Sequence, residues 1–211
     1  MNGAERRCGC ANIVRLKYRF IREVVLNRFT HTDLPLSGLK LIERKRLGDA
    51  RGFLSRLFCS QELRAAGWNR PIVQINHSYT ARRGTVRGMH FQRPPYAEMK
   101  LVSCLRGELW DVAVDIRASS NTFLHWHAER LSAENGRALL IPEGFAHGFQ
   151  SLTDDVELLY CHSAAYAATA EAGLNVKDPM LAIAWPLQIS ELSPRDAQFP
   201  MLNEKFAGVS L

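Results

Sequence analysis

From about residue 34 the chain alternates apolar and polar residues in short runs, the period of a strand with one buried face. LKLIERKRL (39–47) alternates in this way, and FLSRLFC (53–59) follows the turn GDARG (48–52). PIVQINHSYT (71–80), TVRGMHF (85–91), KLVSCLRG (100–107), ELWDVAVDIR (108–117), TFLHWHAERLS (122–132), RALLIP (137–142), AHGFQSL (146–152) and VELLYCHS (156–163) then read as successive strands. Turn residues separate them at Arg82-Arg83-Gly84, Arg106-Gly107, Asn135-Gly136 and Thr153-Asp154-Asp155. One stretch, SQELRAAG (60–67), reads as helix, with Ser60 as its cap and Gly67 as its stop. Many short strands with little helix predict an all-β sandwich or double-sheet jelly roll. The proline-bearing tail from Pro179 is expected to wrap irregularly on its body.

Composition narrows the picture. A chain of 211 residues, 46% hydrophobic and 23% charged, suits one sizeable core. No apolar run reaches the length that spans a bilayer, so a membrane protein is not expected. Five scattered cysteines (Cys8, Cys10, Cys59, Cys104, Cys161) without a CxxC pair suggest reduced thiols in a cytoplasmic protein. The net charge of +6 is uneven, because residues 1–31 hold seven Arg or Lys against two Glu. The nearly neutral remainder gives no reason to expect nucleic-acid binding. Residues 1–33 are read as a basic extension, disordered or loosely docked, or beginning from a misassigned start. Residues 34–211 are read as the folded domain. The mixed apolar and basic run IVRLKYRFIREVVLNRF (13–29) also has the make-up of an amphipathic surface helix.

The sharpest local pattern is Gly136, Pro142, Gly144, His147 and Ser151. An apolar strand ends at a proline, a glycine turn follows, and a histidine opens the next strand. The spacing resembles the second motif of cupins, G-x5-P-x-G-x2-H-x3-N, with Ser at the last position. A metal cupin would also supply an HxH pair upstream, but in GTVRGMHFQRPP (84–95) the position two after His90 is Gln92. His90 and His147 alone fall short of the three protein ligands a catalytic zinc or iron site uses. No metal is therefore expected. His125 and His127 share a strand face in this reading but lack an acid at ligand spacing. An exposed or interfacial pair is expected there. His31, His77 and His162 show no pattern.

Taken in order, DARGF (49–53), QINHS (74–78), RGTVRGMHFQRPPYAEMKLV (83–102), LWDVAVDIR (109–117), IPEGFAHGFQSL (141–152), KDP (177–179) and ELSPRDAQFP (191–200) resemble the dTDP-4-dehydrorhamnose 3,5-epimerase family. The resemblance covers about residues 34–205 and implies a cupin-type double-stranded β-helix. It also implies epimerisation at C3 and C5 of a dTDP-linked 4-keto-6-deoxy sugar through an enolate and without a cofactor, in deoxysugar and polysaccharide precursor synthesis. Such chemistry needs a base for the α-proton, an electrophile for the enolate oxygen and an acid on the opposite face. The resemblance assigns His90 as base with Asp196 as its partner, Lys100 to the enolate and Tyr160 as proton donor. Tyr166 is a rival donor six residues on. Arg51, Gln74, Asn76, Arg87, His147, Glu171 and Arg195 match substrate-contacting positions, and a homodimer is implied. Two positions depart from the family pattern. Arg56 stands where an acidic residue usually meets the nucleotide base of a neighbouring subunit. Val176 stands where an aromatic usually precedes the DP turn. A C3-only epimerase or a 3,4-ketoisomerase, and a non-catalytic sugar-nucleotide-binding cupin, remain alternatives at this level.

Overall fold

The computed structural model describes residues 27–211. Cys8, Cys10 and most of the basic run 13–29 therefore lie outside the described residues. In chain order the elements are β1 (Phe29–Asp33), β2 (Lys40–Arg44), β3 (Arg46–Asp49), β4 (Gly52–Ser55), α1 (Ser60–Leu63), β5 (Gln74–Thr80), β6 (Val86–Gln92) and β7 (Lys100–Arg106). They continue with β8 (Glu108–Asp115), β9 (Trp126–Ser132), β10 (Arg137–Ile141), β11 (Phe145–Ser151), β12 (Val156–His162), β13 (Glu171–Gly173) and α2 (Pro194–Ala197). Among the described residues one sheet runs β1-β2-β10-β7-β12-β5 and a second β13-β6-β11-β8-β9, while β3 and β4 form a separate hairpin. The pairs within both sheets are antiparallel. The expected all-β jelly roll is what forms.

The period-2 rule explains how the sheets meet. Val102 and Cys104 of β7, Leu139 and Ile141 of β10, and Val156 and Leu158 of β12 point from the six-stranded sheet into one core. Leu109 and Ala113 of β8, Leu131 of β9, and Phe145 and Phe149 of β11 meet them from the five-stranded sheet. Each buried Val, Leu, Ile or Phe among them contributes about 1.5–3 kcal/mol. The outer faces are covered too. Leu174, Val176, Leu181 and Val209 from the C-terminal region pack over β6, β8 and β11, so every residue of β11 is buried. Leu63, Ala66 and Trp68 cover the outer face of the six-stranded sheet.

The structure differs from the pattern reading in several places. LKLIERKRL breaks at Lys45, because β2 joins the large sheet while β3 turns away into the hairpin. FLSRLFC is strand only to Ser55, and the helical stretch closes after one turn. Cys59, not Ser60, occupies the cap position, without a side-chain cap bond. TFLHWHAERLS enters its sheet only at Trp126, because Ser120 and Thr122 bond Asp115 and Leu124 takes a positive φ of 63°. His125 thus lies outside the strand, and His127 bonds Glu129 at 2.9 Å. Phe29–Asp33, read as part of the extension, is an edge strand on β2, and β13 was not read at all.

Candidate active site

The inward positions that fill the core change character at one end of the sandwich. On β12, Val156 and Leu158 are followed at the same period by Tyr160 and His162. On β7, Cys104 and Val102 lead to Lys100. On β8, Asp111 lies between Leu109 and Ala113, and on β11 His147 lies between Phe145 and Phe149. The register sets Tyr160 opposite Asn76 and Val102, His162 opposite Gln74 and Lys100, and His147 opposite His90. A cavity of about 510 Å³ opens there, lined by residues that include Asn76, Arg87, His90, Lys100, His147 and Tyr160.

His90 projects from β6. Its Nε2 lies 2.8 Å from Oδ1 of Asp196, so the protonated Nε2 donates to the carboxylate. Asp196 is held in turn. Ser193 caps α2 by accepting the backbone N–H of Asp196 at 3.0 Å, Pro194 begins the helix, and the Gly88 N–H donates to Oδ2 at 3.2 Å. Burial by itself would raise the Asp196 carboxyl. The hydrogen bond and charge of His90, the Gly88 N–H and Arg195 outweigh it and hold the pKa below the ordinary carboxylate range. With Nε2 so engaged, Nδ1 of His90 has no hydrogen-bond partner among the described residues. Glycine at 88 is a steric requirement. Its φ is +125°, and a Cβ there would sit 2.5 Å from the Gly148 Cα.

A second histidine–carboxylate pair stands beside the first. His147 Nε2 lies 2.7 Å from Asp111 Oδ1, both groups buried, and the ring meets Tyr160 edge-on at 6.1 Å between centroids. Asp111 Oδ2 is buried without a hydrogen-bond partner among the described residues. Tyr160 accepts a long hydrogen bond from Ser78 (3.4 Å), stacks at 5.9 Å on His162, and has its phenol pKa pushed up by burial. It is therefore a protonated phenol, able to give a proton. Tyr166, by contrast, is 56% exposed and donates to Glu171 at 2.8 Å. Lys100 is buried beside Glu98, with Nζ 3.2 Å from Oε1. Burial would raise the Glu98 carboxyl, but His162 and Lys100 hold it low, so it stays ionised.

The remaining predicted contacts fall into three groups. Asn76, Arg87, His147 and Glu171 line the cavity. Gln74 supports Asn76 with a 2.9 Å bond, and Arg195 pairs with Glu171 at 3.0 Å; its Nη2 lies 3.2 Å from His90 Nε2 but, as a donor facing the N–H that Asp196 accepts, makes no hydrogen bond there. Arg51 is not brought to this cavity. It lies at the tip of the β3–β4 hairpin, with its side chain 90% exposed and paired to Asp49. Arg56 forms an ion pair with Glu62. Val176 is buried in the core under the tail, its carbonyl accepting from Trp185 Nε1 at 2.9 Å. Gln92 is fully committed, with Nε2 donating to the Tyr96 and Ala165 carbonyls and Oε1 accepting from the Ala167 N–H. It ties two loops together at the rim. Sequence reasoning missed Asp111, Glu98 and His162. The signal for Asp111 and His162 was present in the period, since each is a polar residue at an inward strand position.

These features define a class: a cupin-type jelly roll whose open end carries acid–base groups supplied by both facing sheets. The family model for dTDP-4-dehydrorhamnose 3,5-epimerase matches residues 33–204. The dTDP-4-dehydrorhamnose 3,5-epimerase of Sinorhizobium fredii is 42% identical over 180 residues, 85% of this chain and 92% of that protein. A dTDP-4-dehydrorhamnose 3-epimerase of Streptomyces niveus is 37% identical over 172 residues, 81% of this chain and 83% of its own length. A crystal structure of the Legionella pneumophila 3,5-epimerase in complex with dTDP-4-keto-L-rhamnose superposes with a TM-score of 0.81 at 38% identity, covering 87% of this chain and 98% of the other. The chain belongs to the dTDP-4-dehydrorhamnose 3,5-epimerase family.

Proposed function

We propose that the protein epimerises a dTDP-linked 4-keto-6-deoxy sugar at C3 and C5, with His90 as base, Lys100 at the enolate oxygen and Tyr160 as proton donor. The observation that carries this reading is the division of the groups between sheets. His90 comes from β6 of the five-stranded sheet, while Lys100 and Tyr160 come from β7 and β12 of the six-stranded sheet. A sugar ring between them presents one face to the base and the other to the donor, which inversion requires. The ketone at C4 acidifies the hydrogens at C3 and C5 alike. Nδ1 of His90 takes the proton, Asp196 stabilises the resulting imidazolium, and the Lys100 ammonium offsets the charge on the enolate oxygen. The Tyr160 phenol then returns a proton to carbon from the other side. Arg87, Asn76, His147, Glu171 and Arg195 orient the nucleotide sugar, the arginines through planar forks suited to phosphate.

Assembly is part of the proposal. The β3–β4 hairpin holds Phe53 and Leu54 at 60% and 71% exposure, and edge strand β5 exposes Ile75 and Tyr79. A homodimer covers this apolar surface and carries Arg51 towards the partner's cavity. Its test is the mass in solution of the wild type against Phe53→Asp, a dimer becoming a monomer.

A second reading, inversion at C3 alone, is favoured by the similarity to the Streptomyces 3-epimerase. The catalytic assignment is tested with dTDP-4-dehydro-6-deoxyglucose as substrate and His90→Ala as the control. Conversion by the wild type and none by a folded variant is expected. Conversion that survives in the variant overturns His90 as base, and a wild type inert towards every 4-keto nucleotide sugar overturns the enzymatic reading.

A further inference from the structure

A continuous chain of hydrogen bonds runs beneath the cavity, and both of its ends have fixed direction. At one end the backbone N–H of Tyr166 donates to Gln74 Oε1 at 3.0 Å. This fixes the Gln74 amide, because the flipped form would set two donors face to face. Gln74 Nε2 then donates to Asn76 Oδ1 at 2.9 Å, which leaves Asn76 Nδ2 against His162 Nε2 at 3.3 Å. An amide NH₂ has only hydrogens to offer, so Nε2 of His162 must supply a lone pair. The hydrogen of the neutral ring therefore sits on Nδ1, which faces Glu98 Oε2 at 2.7 Å. From the other end Lys100 Nζ, able only to donate, reaches Glu98 Oε1 at 3.2 Å. Glu98 is the acceptor at which both directions meet. The side chains of His162, Glu98 and Lys100 are 10%, 9% and 10% exposed, so water has little access to substitute for these bonds.

We infer that His162 is a positioning residue of this site: as the neutral Nδ1–H tautomer it holds Glu98, and through Glu98 the Lys100 ammonium, while its Nε2 lone pair holds Asn76. The inference rests on Lys100 as the cation that meets the enolate. Its mechanical logic is that one imidazole ties a group acting on the transition state to a group lining the substrate pocket. The ring also stacks on Tyr160 at 5.9 Å with an interplanar angle of 21°, so the same residue sets the face of the proposed donor. The titratable groups placed against His162 are Glu98 from the loop before β7, Lys100 from β7 and Tyr160 from its own strand. Strand β5 contributes only the uncharged Gln74 and Asn76. Protonation of His162 would place a hydrogen on Nε2 against the Asn76 NH₂. The amide must then rotate and lose its bond from Gln74, so a second hydrogen on the ring is incompatible with the chain as it stands at Asn76, while Nδ1–H still faces Glu98.

The tautomer is read directly from the full-length protein by ¹⁵N NMR of labelled histidine at neutral pH, with the His162 resonances identified by their loss in His162→Phe. Hydrogen on Nδ1 alone is expected. Hydrogen on Nε2, or on both nitrogens, overturns the inference without touching the epimerase reading. In the kinetic arm, His162→Phe keeps the ring against Tyr160 and removes both hydrogen bonds. Turnover number should fall about ten- to hundredfold with a smaller change in KM, the scale of losing a bond to a charged group. His162→Asn, whose amide NH₂ can stand where Nδ1–H stood, should recover turnover to within about fivefold of wild type, as expected for a donor that restores this bond. Unchanged turnover in the Phe variant, or no recovery with Asn, contradicts the inference. Should the Phe variant not fold, Glu98→Gln reads the same link by removing the charge at constant shape. A similar fall in turnover supports the inference and wild-type turnover refutes it.

Discussion

Replacing Asp196 by Asn changes one atom and leaves the volume of the side chain alone, which makes it the sharpest probe of the base. The carboxylate is 3% exposed, accepts from His90 Nε2 at 2.8 Å through Oδ1 and from the Gly88 N–H at 3.2 Å through Oδ2. An amide satisfies only one of these. If its oxygen stays on His90, its NH₂ confronts the Gly88 N–H, a donor against a donor. If its NH₂ turns to His90, Nε2 must become the lone pair, and the hydrogen moves to Nδ1, the nitrogen that has to receive the substrate proton. The imidazolium also loses its counter-charge in either case. A hydrogen bond to a charged group is worth about 1.5–3 kcal/mol, and the wrong tautomer adds to this. Together they predict a fall in turnover of about 10²–10⁴-fold. The assay is conversion of the 4-keto nucleotide sugar followed by NMR, with circular dichroism to show that the sheets are intact. A folded Asp196→Asn protein within threefold of wild-type turnover would refute the dyad.

Three further outcomes follow from the geometry. Tyr160→Phe should still lose substrate α-hydrogen to solvent through His90 but give little inverted product, an uncoupling visible by comparing exchange with product formation; undiminished inversion would transfer the donor role to another group. Gly88→Ala should cost more than tenfold in activity, because a side chain at φ +125° collides with Gly148 and shifts the N–H that holds Asp196; wild-type activity would contradict the stated contact. Burial alone would raise the Asp115 carboxyl, yet bonds from Arg117, Ser120 and Thr122 bring it to about 2. Its folded pKa lies below the unfolded one, so its contribution, on the order of 2 kcal/mol, is complete above about pH 4 and is lost as pH falls towards 2. Urea unfolding at pH 7 and pH 3 should show a shallower acid loss in Asp115→Asn than in wild type, and an equal loss in both would refute the assignment.

Much of this was legible in the chain because strands announce themselves by alternation. Eight runs between residues 71 and 163 became strands β5 to β12. What alternation could not supply was partnership across the sheets. Alternation marks His162 in VELLYCHS only as an inward polar residue, and Glu98 is an ordinary acid in a loop. Only the register of β12 with β5 and β7 sets them against Asn76 and Lys100. Asp111 is hidden for a similar reason, since a lone acid inside an apolar strand acquires meaning from His147 on the neighbouring strand. Boundaries failed where side-chain bonds turned the chain, as those from Ser120 and Thr122 to the Asp115 carboxylate do. Arg51 illustrates a different limit. Its place at an exposed hairpin tip shows that a residue of the right type at family spacing need not meet the cavity of its own chain.

The central claim is that one basic site exchanges the hydrogens on both carbons flanking the ketone. Incubating the wild-type protein with dTDP-4-dehydro-6-deoxyglucose in heavy water and following C3 and C5 by NMR tests it most directly. Solvent deuterium at both carbons is the predicted result. Deuterium at C3 alone would reduce the activity to a single inversion, and retention of hydrogen at both would contradict the account.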